Sequence, residues 1–307
     1  MKNLLYGAIE AGGTKFICAV ADAQGRTLAT TRIPTTNPHD TLSACAGFFS
    51  AQQKDGSAYA AIGIAAFGPV DLHSSSPTYG HILATPKPQW SHTNLVAPFS
   101  SFGCPVNVDT DVNAAALAES LHGAGRGCEV VVYITVGTGI GGGVSIKGKT
   151  LHGAMHPEMG HISVRKHEHD RDFAGTCPFH GDCLEGLACG PAIVARYGAS
   201  LDALPEDHEA FDVISHYLGQ LAATVILMLS PERLIMGGGV MGNPRMLERV
   251  RRKTAQQLNG YVVSVRGSFL PSLDALLASP GLGDQSGITG ALAMARLAAG
   301  QCLDGRS

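Results

Sequence analysis

Cys177, His180 and Cys183 fall within seven residues, Cys177-Pro-Phe-His-Gly-Asp-Cys183, and His161 lies a short way upstream in His156-Pro-Glu-Met-Gly-His161. Thiolate and neutral imidazole are ligands that Zn2+ prefers, and four of them close a tetrahedral shell. The C-x2-H-x2-C spacing lets one turn present three ligands, while His161 ties an upstream loop to them. Buried cysteines beside a surface histidine is the plainer alternative, but three ligand types at this spacing argue for metal. Four protein ligands leave no position for water, so the expected site is structural. His152, His156, His167 and His169 rank below these four as ligands. The HPEMGH stretch is not a zincin helix, because Pro157 and Gly160 break the face that i, i+4 ligands need.

A second centre of chemistry is a carboxylate. Asp111 stands where the strand Pro105-Val-Asn-Val-Asp-Thr110 gives way to a helix starting near Asn113. Ligands of open α/β sheets bind at the carboxyl ends of strands. A carboxylate there can take a proton from a hydroxyl that attacks phosphorus. Asp also favours the N-cap position of a helix. Local sequence leaves base and cap equally open. Asp109 is a second candidate, on the same strand face one layer back.

Three glycine turns suit an anion. Gly12-Gly13-Thr14-Lys15 offers bare backbone amides with a hydroxyl and a charge beside them. Thr135-Val-Gly137-Thr138-Gly139, continuing to Gly143, repeats that chemistry, and Gly237-Gly238-Gly239 follows the strand Leu-Ile-Met. Each alone fits an ordinary hairpin turn; together they suggest a nucleotide gripped between two halves. Gly143 to Thr150 matches the phosphate-loop pattern G-x4-G-K-[ST] letter for letter. That pattern works only when a helix leaves the loop. The following LHGAMHPEMG starts no helix, so the match is rejected and read as a hairpin with Lys147-Gly-Lys149 at its tip.

The elements that must carry these residues form a repeated pattern. LLYGAIEAGGTKFICAVADAQGRTLA reads as strand, turn, strand, turn, strand. YAAIGIAAFGPVD reads as a buried strand. VNVDTDVNAAALAESLHGAG reads as a strand to Asp111 and a helix stopped by Gly123 or Gly125. VVVYITVGTGIGGGVSIKGKTLHG is a second hairpin. A helix, a strand and a third glycine turn follow, and DQSGITGALAMARLAAG closes the chain as a helix. A hairpin followed by a βαβ unit thus occurs twice, which implies a duplicated α/β fold with a cleft between lobes.

Composition is consistent with this. The chain has 307 residues, 45% hydrophobic and 15% charged, enough for two lobes with cores. A net charge of -3 without a basic block argues against a nucleic-acid partner. No continuous apolar run of about 18 residues is evident, so no membrane span is expected. The N-terminus lacks signal-peptide shape, and the eight cysteines suit cytosolic thiols with a zinc subset better than a disulfide framework. The expected location is cytoplasmic.

The chain resembles the ROK family of sugar kinases, and within it the bacterial fructokinases. The resemblance rests on Ile9-Glu-Ala-Gly-Gly-Thr-Lys15, Asp109-Thr-Asp-Val-Asn-Ala114, Thr135 to Gly143, His156-Pro-Glu-Met-Gly-His161, Cys177 to Gly186, Gly237-Gly-Gly-Val240 and Gly281-Leu-Gly-Asp284. It implies two ribonuclease-H-like lobes of the actin and hexokinase type flanking a cleft, with a zinc-bound loop. The expected division is an N-terminal lobe over 1–112, joined by the closing helix at about 288–300, and a C-terminal lobe over 113–287 with the zinc loop at 156–185. The resemblance assigns Asp111 as general base and Glu158, His161 and Glu185 as sugar contacts. It assigns His161, Cys177, His180 and Cys183 to zinc, and the glycine turns to ATP with Mg2+. Thr85-Pro-Lys-Pro-Gln-Trp90 resembles a fructokinase loop near the sugar.

Glu10 where many relatives carry Asp, Thr110 where many carry Asn, and a Cys-His-Cys metal pattern mark the departures. The last two point from glucokinase toward fructokinase, hence phosphorylation of D-fructose to fructose 6-phosphate. Glucose, mannose and N-acetylmannosamine are the alternative substrates. A sugar-sensing regulator is disfavoured, since the first strand starts at about residue 4 and leaves no room for a DNA-binding domain. A catalytically dead sensor is disfavoured by Asp111 and the glycine turns. The expected assembly is a homodimer.

Overall fold

The computed structural model describes residues 3–54, 56–261 and 272–303. The first sheet holds β1 (Asn3–Ala11), β2 (Lys15–Ala21), β3 (Thr27–Pro34), β4 (Ser57–Ala66) and β5 (Val106–Thr110), in the order β3-β2-β1-β4-β5. The second holds β6 (Val130–Val136), β7 (Ile140–Ile146), β8 (Lys149–Thr150), β9 (Arg233–Gly237) and β10 (Leu277–Ala278), in the order β10-β9-β6-β7-β8. Read from its other edge, the second order matches the first. Each sheet is an antiparallel meander extended by two parallel strands: β4 and β5 in one, β9 and β10 in the other. The duplicated two-lobe α/β fold expected from the sequence is the fold observed. The rejected phosphate-loop match lies in the β7–β8 hairpin, with Lys147 and Gly148 at φ 52° and 72° forming its turn.

The helices are α1 (Pro38–Gln52), α2 (Asp111–His122), α3 (Leu184–Ala188), α4 (Gly190–Tyr197), α5 (Ala210–Leu229), α6 (Pro244–Leu258), α7 (Leu273–Leu276) and α8 (Ser286–Ala298). α5 is long and apolar enough to cross a membrane, which the sequence reading had not counted. The structure shows why it need not: 67% of its most apolar window is buried, and it contributes Phe211, Ile214, Tyr217, Leu218 and Leu221 to the core of the second sheet.

Small residues let α2 sit backbone-close between the two sheets. A Cβ on Gly143 of β7 would lie 2.2 Å from the Val112 carbonyl oxygen, and one on Gly290 of α8 would lie 2.0 Å from that of Ala114. α8 in turn lies on β4, where a Cβ on Gly63 would lie 2.0 Å from the Ala291 carbonyl oxygen. Dense packing of this kind leaves little freedom for the helix N-terminus that carries Asp111. At the other end of α2, the buried Glu119 carboxylate accepts from Ala124 N (2.7 Å), Gly281 N (3.0 Å), Leu282 N (3.0 Å) and Ser286 Oγ (2.8 Å). A buried charge with four donors is fully satisfied, and it ties the approach to α8 onto α2.

Candidate active site and metal centre

The strand β5 ends at Thr110, not Asp111, and the helix begins at Asp111, not near Asn113. Thr110 is the N-cap: its Oγ1 accepts from Asn113 N at 3.1 Å. The Thr110 hydroxyl is therefore turned into the helix. Asp111 is free of the capping role, and its Oδ1 accepts from its neighbour Val112 N at 2.9 Å. Burial, and next the charge of Asp109, push its carboxyl up to about 6, although the Val112 amide opposes this.

Asp109 lies behind it, 3% exposed. Its Oδ1 accepts from Thr110 N (2.7 Å) and Asn113 Nδ2 (2.8 Å), and its Oδ2 sits 3.0 Å from His152 Nε2. Asn113 also accepts from Val144 N of β7 at 3.2 Å. Asp109 is thus fully engaged in holding the strand end, and of the two candidates only Asp111 has a free carboxylate oxygen. Asn113 and His152 were not singled out for this role from sequence, because their partners are 31 and 43 residues away.

Glu10 and Glu158 face the same region as Asp111. Burial, followed by the charge of Asp111, pushes Glu10 up to about 7 against the pull of Lys15. Among the described residues its Oε2 is buried with no hydrogen-bond partner, while the Ile288 backbone lowers the pKa of the same carboxyl. Burial, followed by the charges of Glu185 and Asp111, pushes Glu158 up to about 7. Glu185 Oε2 accepts from Ile140 N at 2.8 Å, which fastens it to the start of β7. Its Oε1 lies 4.0 Å from His161 Nε2. Gly160 allows this segment to lie on β7: a Cβ there would sit 1.9 Å from the Ile140 carbonyl oxygen.

The four sulfur and nitrogen ligands expected from the sequence are together. One ligand atom from each of His161, Cys177, His180 and Cys183 lies within 4.8 Å of the others. His161 Nδ1 is 3.8 Å from Cys177 Sγ and 3.5 Å from Cys183 Sγ, and His180 Nδ1 is 3.7 Å from Cys177 Sγ. Zinc bonds of about 2.3 Å to sulfur and 2.0 Å to nitrogen, at the tetrahedral angle, space S and N about 3.5 Å apart. The donor set and spacing fit zinc. The knuckle is closed by mutual backbone bonds between Cys177 and Gly181, and Leu184 N donates to Ile162 O at 3.0 Å, joining the two halves of the site. Burial pushes the Cys183 thiol up to about 11, so a cation is what would make it a thiolate at neutral pH.

The glycine turns divide by what surrounds them. A Cβ on Gly12 would lie 2.8 Å from the Lys15 carbonyl oxygen, one on Gly139 2.7 Å from Glu185 Oε2, and one on Gly237 2.8 Å from Tyr133 Oη. Gly238 has φ +91° with Val136 backbone 2.4 Å from its Cβ position. These four are glycine because the protein itself fills the space. Gly13, Gly137 and Gly239 have nothing within 4 Å of that position. One glycine in each turn therefore faces open space, beside exposed Thr14, Lys15 and Thr138. Thr135 lies at the end of β6, paired with Gly141 and Gly237. In the Thr85–Trp90 loop, Trp90 is fully buried against Phe16 and Phe67, its Nε1 donates to Thr36 O at 2.9 Å, and Lys87 Nζ donates to the Gly13 carbonyl.

Two duplicated sheets, a carboxylate at the first residue of the helix between them and open glycine turns on both define a protein of the actin and hexokinase architecture. The ROK family model matches residues 6–298. A fructokinase of Zymomonas mobilis is 48% identical over 96% of this chain and 98% of its own length. The crystal structure of a ROK hexokinase from Thermus thermophilus superposes with TM-score 0.75 at 26% identity, over 95% of this chain and 98% of that one. A ROK glucokinase from Streptomyces griseus, in complex with glucose and AMPPNP, superposes with TM-score 0.68 at 26% identity, over 95% and 99%. The chain belongs to the ROK family, and within it is a fructokinase-like sugar kinase.

Proposed function

We propose that the protein transfers the γ-phosphoryl group of ATP to the 6-hydroxyl of D-fructose, with Asp111 as general base. The observation that carries this reading is the state of Asp111: packed in place, relieved of capping by Thr110 and raised toward neutrality. A base is most effective when its pKa lies near the working pH. The carboxylate takes the hydroxyl proton as the sugar oxygen bonds to phosphorus and the bond to ADP breaks. Glu158, His161 and Glu185 hold the sugar hydroxyls. Gly12 to Lys15, Thr135 to Gly139 and Gly237 to Gly239 receive the nucleotide, with Gly13, Gly137 and Gly239 at the points of closest approach. The partnerless Glu10 oxygen beside Asp111 fits a hydrated Mg2+, which when bound would neutralise charge on the phosphates. Zinc on His161, Cys177, His180 and Cys183 would order the loop from 156 to 185. We assign 1–112 with the closing helix to one lobe and 113–287 to the other, and take the enzyme to be a cytoplasmic homodimer.

The choice of fructose is supported by the 48% identity with a fructokinase and tested by a coupled assay across fructose, glucose, mannose and N-acetylmannosamine. Fructose is expected to give the highest kcat/KM, because a pocket of placed polar groups rejects an isomer that leaves them unpaired. Glucose ahead of fructose would overturn the assignment.

The nucleotide turns have their own test. Gly137 has an ordinary φ and open space around it, so Gly137→Val costs the fold little. The added branch stands where phosphate would lie, and the ATP KM is expected to rise about tenfold or more, equivalent to roughly 1.4 kcal/mol. Activity is expected to vanish in EDTA and return with Mg2+. Unchanged ATP KM in the variant would assign this hairpin to folding alone.

A further inference from the structure

We propose that His156 is a positioning residue that links the turn after β4 in the first sheet to Glu158, the sugar-facing carboxylate beside the second. The inference rests on the assignment of Glu158 as a sugar contact made above.

His156 is 4% exposed and so cannot itself meet a sugar. Its Nε2 accepts from Val70 N at 3.2 Å, a contact between residues 86 apart in sequence. An imidazole nitrogen that accepts carries no proton, so in the neutral ring the hydrogen is on Nδ1. Nδ1 lies 3.4 Å from Glu158 Oε1. The ring thus accepts from the turn after β4 on one side and lies against the Glu158 carboxylate on the other. Burial lowers its pKa, against a hydrogen bond to the Pro157 backbone and, after it, the pull of Asp109.

The turn it reads is well anchored. Val70 is 1% exposed and bridges to Ile82, and Leu83 N donates to Pro69 O at 2.8 Å. At Gly68 a Cβ would lie 3.4 Å from the ring Cε1, in van der Waals contact with the imidazole. Glu158, by contrast, stands on a half-exposed segment among the like charges of Glu185 and Asp111. His156 Nδ1 lies against the Glu158 carboxylate, 3.4 Å from its Oε1. The anchored Pro69–Val70 turn would thereby hold the Glu158 carboxylate in place, and with it sugar affinity.

His156→Phe keeps the ring volume and removes both nitrogens; His156→Gln keeps one acceptor and one donor at similar spacing. Both are to be assayed beside Glu158→Gln and the His156→Phe/Glu158→Gln double variant, with thermal unfolding of each. We expect His156→Phe to raise the fructose KM about tenfold while the ATP KM stays within about twofold, and His156→Gln to restore most of the loss. The double variant is expected to be no worse in fructose KM than Glu158→Gln alone, since residues acting through one another are not additive. A fall in Tm and in kcat with unchanged fructose KM would reduce His156 to a core residue and overturn the proposal, as would additive effects. If Glu158→Gln leaves the fructose KM unchanged, the sugar assignment of Glu158 falls first and the proposal with it. Should the Phe variant not fold, His156→Asn replaces it: Asn is too short to span both partners, and equal fructose KM for Asn and Gln would be the overturning result.

Discussion

Asp111→Asn is expected to lower phosphoryl transfer by about 10²–10⁴-fold while fructose binding stays within a few-fold, since removal of a general base typically costs that much. The amide keeps the oxygen that accepts from Val112 N and the shape that packs at the start of α2. It loses only the ability to take a proton. The effect on stability has the opposite sign. Asp111 has a carboxyl raised from its unfolded value of about 4 to about 6. Its ionisation therefore works against the fold, and the penalty grows as pH rises through that window and is complete above it. At pH 7.5 the asparagine variant is expected to be at least as stable as the wild type, so lost turnover reports chemistry rather than unfolding. In the wild type, kcat/KM is expected to fall as pH drops through about 6, because protonation removes the base. Steady-state kinetics from pH 5 to 8, sugar titration calorimetry and thermal unfolding make the test. A variant that keeps more than half of wild-type turnover would leave Asp111 a packing residue.

Loss of metal is expected to have two consequences at once. One zinc per chain is expected, bound by His161, Cys177, His180 and Cys183. Structural zinc sites contribute on the order of 10 kcal/mol to the segments they fold, and here the segment is the knuckle leading into α3. Cys177→Ser and Cys183→Ser are each expected to lower Tm markedly. They are also expected to raise the fructose KM, because His161 presents Nδ1 to the ligand cluster and Nε2 toward Glu185. A metal-bound imidazole holds its second nitrogen in a fixed direction. Cys45 is fully buried beside Cys18 and its replacement would itself disturb the core, so exposed Cys302 is the sound control. Elemental analysis, unfolding and kinetics decide the matter. Less than about a tenth of an equivalent of zinc in active protein would remove the structural site, since such ligand sets hold zinc tightly. Full zinc with no change in fructose KM on ligand loss would remove only the coupling to the sugar.

Much of this was legible along the chain, because it depends on neighbours in sequence. Alternating and continuous apolar runs bounded by glycine define the hairpins, and their recurrence defines two lobes. The metal cluster is legible because three of its ligands share one turn, and the fourth lies on a segment joined to them in part by the backbone bond from Leu184 to Ile162. The same holds for the rejected phosphate loop: a proline and two glycines after Thr150 exclude the helix it would need.

The tertiary structure decided what each residue is for when several uses share one letter. A glycine reads the same whether the space of its missing Cβ is filled by protein, as at Gly143 and Gly238, or left open, as at Gly13, Gly137 and Gly239. Thr110 and Asp111 are both good caps, and only the backbone angle at the strand end made Thr110 the cap and left Asp111 free. α5 has the composition of a membrane span and is a core helix because the second sheet covers it. Glu119, Asn113 and His156 draw their meaning from partners 31 to 167 residues away. Local sequence sets propensity and spacing, whereas the burial of a polar group and the identity of its partner arise only when distant segments pack together.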